Sequence, residues 1–171
     1  MKKTLLFIGL FFAFVLGSSA QKFALVDMEY ILENIPSYER ANQQLEKTAE
    51  TWQAEVEKMQ QEVKDMYSNY QANLPSLSAA QKTQRENAIV AKENELQNLR
   101  NKYFGQEGEM FKRRKALIDP IQDSIYEAIK ELALTGGYQA IIDRPSATSM
   151  IFATPEIDIS DQVLAKLGYS K

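Results

Sequence analysis

LEKTAETWQAEVEKMQQEVKDMYSNYQANLPSLSAAQ, residues 45–81, is the stretch that decides the fold. Its apolar residues recur at intervals that alternate between four and three, which is typical of a helix that packs along another helix. These apolar positions are Leu45, Ala49, Trp52, Val56, Met59, Val63, Met66 and Tyr70. The pattern predicts one long helix with a narrow apolar seam.

The end of this stretch predicts a reversal of the chain. Pro75 ends the helical pattern and is expected to hold Leu74 outside the α region. Ser78 is followed three residues later by Gln81, which together predict a capping box at the start of a new helix. We therefore expect a second long helix to begin at Ser78.

The second helix has an apolar stripe that matches the first if the chain folds back about Pro75. The numbers of facing residues then add up to about twice the number of the turning residue. The predicted seam pairs are Val63 with Ile89, Val56 with Leu96, Trp52 with Leu99, and Leu45 near Tyr103. The stripe continues to Met110 and is interrupted by Lys92 and Gln106. Residues 37–114 are therefore predicted to form an antiparallel helical hairpin, and a helix of this length is expected to project as an arm.

The regions on either side of the hairpin predict short strands and helices. Residues 23–26 are expected to form a strand, with Asp27 capping a helix over residues 28–34 and Ser37 capping the long helix. The other signals are Asp119-Pro120 as a helix start or kink, Gly136-Gly137 as a helix end, strands at Tyr138–Ile142 and Ser149–Ala153, and Ser160 as the cap of a last helix. The fold class is thus α+β, with residues 21–36 and 115–171 forming one discontinuous head.

The first twenty residues have the composition of a secretory signal. Lys2 and Lys3 precede an uncharged apolar run over residues 5–16, and small residues lead up to Ala20. The run is too short for a spanning helix, which needs roughly 20 apolar residues. We expect cleavage after Ala20 and export of the mature chain.

Composition argues against several function classes. The chain has 20 basic and 23 acidic residues, no cysteine and no histidine. An acidic balance gives no support for nucleic-acid binding. Without histidine or cysteine, the commonest catalytic bases and zinc ligands are missing. We therefore predict no catalytic residues, no metal site, no cofactor and no enzymatic activity.

Three segments carry a resemblance to a known family. Lys22-Phe23-Ala24-Leu25-Val26-Asp27-Met28 resembles the opening strand of the Skp/OmpH periplasmic chaperones. The segment 138–143 resembles their late strand, and residues 157–167 resemble their closing helix. The resemblance implies a homotrimer whose head strands join in a central barrel, and whose arms enclose unfolded outer-membrane proteins without using nucleotide. Well-known members are strongly basic, whereas residues 37–114 hold twelve basic and twelve acidic side chains. Contact with anionic membrane surfaces is therefore left open.

Within the hairpin, some apolar residues cannot all enter one narrow seam. Adjacent helical residues point about 100° apart, so Tyr67, Phe104 and Phe111 are candidates for binding a client chain. They can equally widen the seam or pack against the head, which is favoured for Phe111. Gly105 and Gly108 either form a hinge, or only permit close approach of the helices or mark a local irregularity. The rival interpretation of the whole chain is a structural coiled-coil spacer or adaptor of the cell envelope.

A basic run lies near the predicted base of the arm. Residues 112–115 read Lys-Arg-Arg-Lys. Such a run can touch anionic lipid or a client, but it is more often a solvated helix face paired with nearby carboxylates. We favour the second interpretation.

Overall fold

The computed structural model describes residues 22–169, so the predicted signal segment and its cleavage site lie outside the described residues. The elements are β1 (Lys22–Val26), α1 (Met28–Glu33), α2 (Pro36–Asn73), α3 (Ala79–Phe104), α4 (Glu109–Gly136), β2 (Tyr138–Asp143) and α5 (Ser160–Lys166). Two 3-10 turns, Leu74–Ser76 and Pro155–Ile157, complete the description. The predicted α+β class is confirmed: the described residues are mostly helical, with three long helices, α2, α3 and α4, and a small sheet. None of the described helices is both long enough and apolar enough to cross a membrane.

The chain divides into two compact units. Ile35–Ser124 forms one, which we call the hairpin unit, and residues 22–34 and 125–169 form the other, the sheet unit. The hairpin unit extends ten residues beyond the predicted boundary at residue 114, because Ile118 is buried against the start of α2.

The start of α2 differs from the prediction. Pro36 is the first helical residue and Ile35 is the N-cap, without a side-chain cap, so the assignment of Ser37 as the cap was wrong. Proline suits the first position because its missing N–H has no helical partner there and its φ angle is already helical.

The reversal after α2 uses a 3-10 turn. Leu74 has φ −48° and ψ −44°, so the prediction that Pro75 would hold it outside the α region was wrong. The steric effect of proline on the preceding residue is a preference, and here the chain makes one more helical turn before Leu77 becomes extended. The capping box is confirmed: the Gln81 side chain accepts from the Ser78 N–H at 2.9 Å, and the Gln81 N–H donates to Ser78 Oγ at 3.4 Å.

The returning part of the hairpin is two helices and not one. α3 ends at Phe104, and α4 begins at Glu109 after a break that holds both Gly105 and Gly108. α4 then continues through Pro120, so Asp119 is not an N-cap and no new helix starts there. The buried side chains Ile118 and Ile125 on either side of the proline favour continuation despite the lost hydrogen bond.

The sheet unit is organised around two parallel strands. β1 pairs with β2 in the register Ala24 with Ile141 and Leu25 with Ile142, and an isolated bridge joins Leu25 to Asp158. The buried residues of this unit include Ala24, Leu25, Val26, Ile31, Ile125, Ala128, Ile159, Val163 and Leu164. The predicted strands at each end of the mature chain are confirmed as β1 and β2. The predicted end of α4 is confirmed too, since Gly137 follows it with φ +68°.

Two predictions for the C-terminal region were wrong. Residues 149–153 form no strand, and Ile151 and Phe152 are almost fully exposed, because no described strand offers them a paired edge. Ser160 is the first residue of α5 and not its cap, because its N–H donates to Asp158 Oδ1 at 2.9 Å. Its hydroxyl instead accepts from the Asp27 N–H at 2.9 Å.

Asp27 caps α1 and also links the N-terminal and C-terminal segments of the chain within the sheet unit. Its Oδ1 accepts from the Tyr30 N–H at 3.0 Å, and its Oδ2 accepts from Arg144 at 2.9 Å. The Tyr30 N–H and then the Arg144 guanidinium hold the pKa of the Asp27 carboxyl below its ordinary value. One side chain therefore connects β1, α1 and the residues that follow β2.

Replacing Asp27 should destabilise the sheet unit. We expect Asp27→Ala to lower the free energy of unfolding by about 1 to 2 kcal/mol, because the helix cap and the contact with Arg144 are both lost. Urea denaturation followed by circular dichroism measures this change. Glu33→Ala, at the exposed other end of α1, is the matched control and should cost less than about 0.5 kcal/mol. Equal effects of the two changes would contradict the role of Asp27.

The effect of Asp27→Ala should depend on pH with a known sign. A carboxyl whose pKa is lowered by folding stabilises the protein fully above its unfolded pKa, about 3.9. That stabilisation is lost as the pH falls through the folded pKa. The difference in unfolding free energy between the wild type and Asp27→Ala should therefore shrink on acidification below the unfolded pKa.

Candidate functional site

An apolar seam holds α2 against α3. Its buried core is Val56, Val63, Leu96 and Tyr103, with Trp52, Met59 and Leu99 packed against it. The Trp52 and Tyr103 rings are stacked, with centroids 4.7 Å apart and planes 1° apart. Trp52 and Leu99 thus belong to one cluster, but the ring partner of Trp52 is Tyr103. The register is displaced from the predicted one because the chain reverses around Leu77, after the 3-10 turn, and not at Pro75.

Three further predicted seam residues lie at the ends of the hairpin. Ile89, whose predicted partner was Val63, is buried in the part of α3 near the turn. Leu45 belongs to a second cluster with Ala41 and Ile118, whereas Tyr103 belongs to the first. Met110 also packs in the second cluster, because the break between α3 and α4 separates it from the seam.

Polar contacts between α2 and α3 flank the seam. Lys92, which interrupts the apolar stripe, reaches Glu62 at 2.8 Å. The hydrogen-bonded Glu62 carboxylate raises the pKa of Lys92, and the pKa of Glu62 is lowered in return. The other cross-helix contacts are Arg100 to Gln60 and Arg85 to Asn69, both at 2.8 Å, Tyr103 to Glu55 at 2.5 Å, and Tyr70 to Glu86. Hydrogen bonding to Glu55 raises the pKa of the Tyr103 phenol.

The three candidate client-binding residues are all exposed. Tyr67 is 44% exposed, Phe104 is 42% exposed and Phe111 is 50% exposed. Val90, at 53%, is a fourth large apolar side chain exposed on the helices of this unit. Sequence reasoning missed Val90, although it follows the seam residue Ile89 directly and the same rule for adjacent apolar residues would have found it.

Two of these side chains also make internal contacts. The Phe104 ring lies edge-on to Trp52 and to Tyr103, at centroid distances of 6.5 and 6.3 Å. Phe111 lines a groove of about 300 Å³ together with Tyr38. Phe104 therefore widens the seam while keeping an exposed surface, and Phe111 borders a pocket of its own.

The glycines of the break are sterically required. A Cβ on Gly105 would lie 2.4 Å from the carbonyl oxygen of Asn101. A Cβ on Gly108 would lie 2.9 Å from three backbone atoms of residues 102–105. The backbone approaches itself closely at this break, so any larger side chain has to displace it.

The basic run is exposed and partly paired. Lys112 lies 3.0 Å from Glu109, and Lys115 lies 2.5 Å from Asp119. Both pairs are formed within α4 and are open to solvent. This arrangement is the one expected of a solvated helix face.

Comparison with known proteins places these features in a family context. The family model described as "Outer membrane protein (OmpH-like)" matches residues 22–167. The chain is 28% identical over 171 residues to the Chaperone protein Skp of Yersinia enterocolitica, covering 98% of this chain and 99% of that protein. It is 26% identical to the Chaperone protein Skp of Photorhabdus luminescens, covering 93% of each.

A solved structure has the same fold. The chain is similar to an OmpH-like outer membrane chaperone from Caulobacter crescentus, with a TM-score of 0.66 and 14% identity. The match covers 88% of this chain and 86% of that one. At this identity the likeness concerns the fold alone.

The seam and the exposed surface should respond differently to truncation. We expect Leu96→Ala to lower the free energy of unfolding of the hairpin unit by about 3 kcal/mol, because it leaves a cavity among buried side chains. Val90→Ala is the matched control on the same helix and should cost less than about 1 kcal/mol, since this side chain is half exposed. Thermal unfolding followed by circular dichroism measures both. A Val90→Ala change as costly as Leu96→Ala would contradict the seam described above.

Proposed function

Because the chain belongs to the OmpH-like family of outer membrane proteins, we propose that it is a chaperone that holds unfolded outer-membrane proteins without using nucleotide. Its relatives named Chaperone protein Skp support a chaperone role. The finer parts of the proposal are a periplasmic location, a signal cleaved after Ala20 and no enzymatic activity.

The observation that carries the proposal is the set of exposed apolar side chains on a hairpin that is already closed by its own seam. Tyr67 and Val90 lie outside the buried cluster between α2 and α3, and Phe104 borders that cluster while 42% of it stays exposed. Each contributes at most about 1 to 2 kcal/mol when a client chain covers it, which is less than full burial of such a side chain. Many weak contacts of this size hold an unfolded chain and still let it leave, and enclosure multiplies them through effective concentration.

The same exposed side chains argue against the interpretation of the chain as a structural spacer. A coiled-coil spacer or adaptor needs a uniformly polar outer surface between its docking sites. Here, large apolar side chains are about half exposed at separate positions along the hairpin.

We propose that the working form is a homotrimer joined through the sheet unit. Ile151 is fully exposed and Phe152 is 80% exposed, next to a sheet of two strands. Phe23 and Ile142, on the strands themselves, are also exposed. Exposed strand edges with apolar neighbours favour association with another chain, and three copies would close these edges into a barrel.

We further propose that the break between α3 and α4 is a hinge that lets the enclosed space widen. It lacks regular helical structure over Gly105 to Gly108, between two long helices. Backbone amides of residues 105–108 should exchange hydrogen faster than those of both neighbouring helices. Equal protection across the break would exclude a hinge.

The holdase activity is tested with a denatured β-barrel membrane protein diluted from urea, with light scattering followed in the absence of nucleotide. Stoichiometric trimer should suppress the scattering. The triple change Tyr67→Ser, Phe104→Ser and Phe111→Ser should reduce the suppression at least severalfold, because the proposed contacts are removed. Tyr126→Ser with Leu134→Ser, which removes exposed apolar surface from α4 in the sheet unit, is the control and should keep the activity. Full suppression by the triple variant would remove the client-binding role of these residues.

Assembly is tested by sedimentation of the mature chain. We expect the mass of three chains for the wild type, and a shift toward the monomer for Ile151→Ser with Phe152→Ser, because the apolar contacts of the proposed interface are lost. Tyr67→Ser, in the hairpin unit, should leave the trimer intact. A monomeric wild type would contradict the proposed assembly.

A further inference from the structure

Three aromatic rings form one cluster on the hairpin unit, where α3 ends. The rings of Trp52 and Tyr103 are stacked, with centroids 4.7 Å apart and planes 1° apart. The Phe104 ring stands almost perpendicular to both, at interplanar angles of 78° and 77°. Aromatic rings prefer such edge-on contacts, because the positive edge of one ring meets the negative face of another. We call these three residues the ring cluster.

The seam between α2 and α3 holds two of the three rings in place. Tyr103 is part of the buried core of the seam, and Trp52 packs against that core. The Tyr103 hydroxyl also donates to Glu55 on α2 at 2.5 Å. The stacked pair is therefore a fixed support for the Phe104 ring that stands against it.

Phe104 is held by this support without being covered by it. The residue stays 42% exposed, although its ring contacts both Trp52 and Tyr103. It is the last residue of α3, and the next residue, Gly105, has no side chain that could cover the ring. A ring that is already oriented loses little freedom when a ligand binds to it, which favours binding. Phe104 thus offers a preformed aromatic surface to another molecule.

The charged groups that touch Tyr103 do not select a charged ligand. The Lys102 ammonium lies 5.4 Å from the centroid of the Tyr103 ring, and the Glu55 carboxylate accepts from the Tyr103 hydroxyl. One group of each sign is thus present. A cation that approached this ring would also meet the like charge of Lys102, which already occupies a position over the ring. The ligand that remains is an uncharged apolar group.

Among uncharged groups, the geometry of the ring cluster favours an aromatic one. A further ring against Phe104 can repeat the edge-on or offset-stacked contact, and such a pair gains attraction beyond the apolar area that it buries. An aliphatic side chain of the same size gains only the burial of its area. The ring cluster therefore distinguishes between two kinds of apolar side chain.

We propose that the ring cluster binds aromatic side chains of an unfolded chain in preference to aliphatic ones, with Phe104 as the contacting residue. This inference rests on the proposed function, since it takes the client to be an unfolded outer-membrane protein. Barrels of the outer membrane carry girdles of aromatic residues at both membrane interfaces, so aromatic residues recur along their chains. An unfolded chain of this class offers many such side chains to the ring cluster.

The test uses the mature full-length protein and two unstructured peptides of thirty residues. One peptide has phenylalanine at four evenly spaced positions of a polar sequence, and its partner has cyclohexylalanine at the same positions. The cyclohexyl ring exposes at least as much apolar area but has no π electrons, so a site that recognises area alone binds it at least as tightly. We expect the phenylalanine peptide to bind about threefold to tenfold more tightly, the range typical of an aromatic pair.

Two measurements follow the binding. Fluorescence anisotropy of a label at the end of each peptide gives both affinities. The fluorescence of Trp52, the single tryptophan of the chain, is then followed with the unlabelled peptides. Its change on binding reports that the peptide reaches the ring cluster.

Side-chain variants assign the preference to one residue. Phe104→Leu keeps an apolar side chain but removes the ring, and should bring the two affinities to within about twofold of each other. Phe104→Tyr restores a ring and should restore the preference. Tyr126→Leu is the matched control, because it removes an exposed ring from the sheet unit, and it should leave the preference unchanged.

Four outcomes would overturn the inference: binding of the cyclohexylalanine peptide as tight as that of its partner, no binding of either peptide, an unchanged preference in Phe104→Leu, or a lost preference in Tyr126→Leu. Suppression of client aggregation is measured with the same preparations. A wild type that suppresses aggregation without preferring phenylalanine contradicts this inference alone, whereas one that fails to suppress aggregation contradicts the proposed function.

Discussion

The packing of α2 against α3 along one apolar seam is the constraint on which the hairpin unit depends. Val56, Val63, Leu96 and Tyr103 close this seam within a single chain, so the outer faces of both helices are not needed to fill it. The polar contacts that flank the seam fix its register, since each joins one residue of α2 to one residue of α3. The exposed aromatic and aliphatic side chains are therefore available for another molecule.

The long-range pattern was predictable, and the local geometry of the turns was not. The heptad spacing of α2 and the capping box at Ser78 predict the hairpin. The first signal repeats at a regular interval, and the second consists of two residues at a fixed offset. The register was displaced because a proline does not by itself tell where a chain reverses, and here Leu74 stays helical before Leu77 leaves the helix. The break lies at Gly105 and Gly108, where the sequence already indicated a hinge or an irregularity. The continuation of α4 through Pro120 depends on tertiary packing, which a local pattern does not contain.

In the candidate site, too, the sequence pattern predicted some features, whereas others depend on tertiary packing. Exposure of Tyr67 and Phe104 follows from their position beside a seam residue, and that logic applies equally to Val90, where it was not used. The position of Phe111 beside a groove with Tyr38 depends on how α4 returns along α2. Residues 149–153 have the composition of a strand, yet composition cannot supply a partner edge within one chain, and Ile151 and Phe152 stay in solvent.

The parallel pairing of β1 with β2 imposes an order on folding. Ala24 pairs with Ile141, which lies more than a hundred positions later in the chain. Closing so long a loop is slower than packing two helices that are neighbours in the sequence. The entropy of the intervening chain has to be lost before the strand contacts form. During synthesis the first strand emerges long before its partner exists. The contacts of the hairpin unit join residues that are closer in the sequence, so loop-closure entropy favours their formation before β1 pairs with β2.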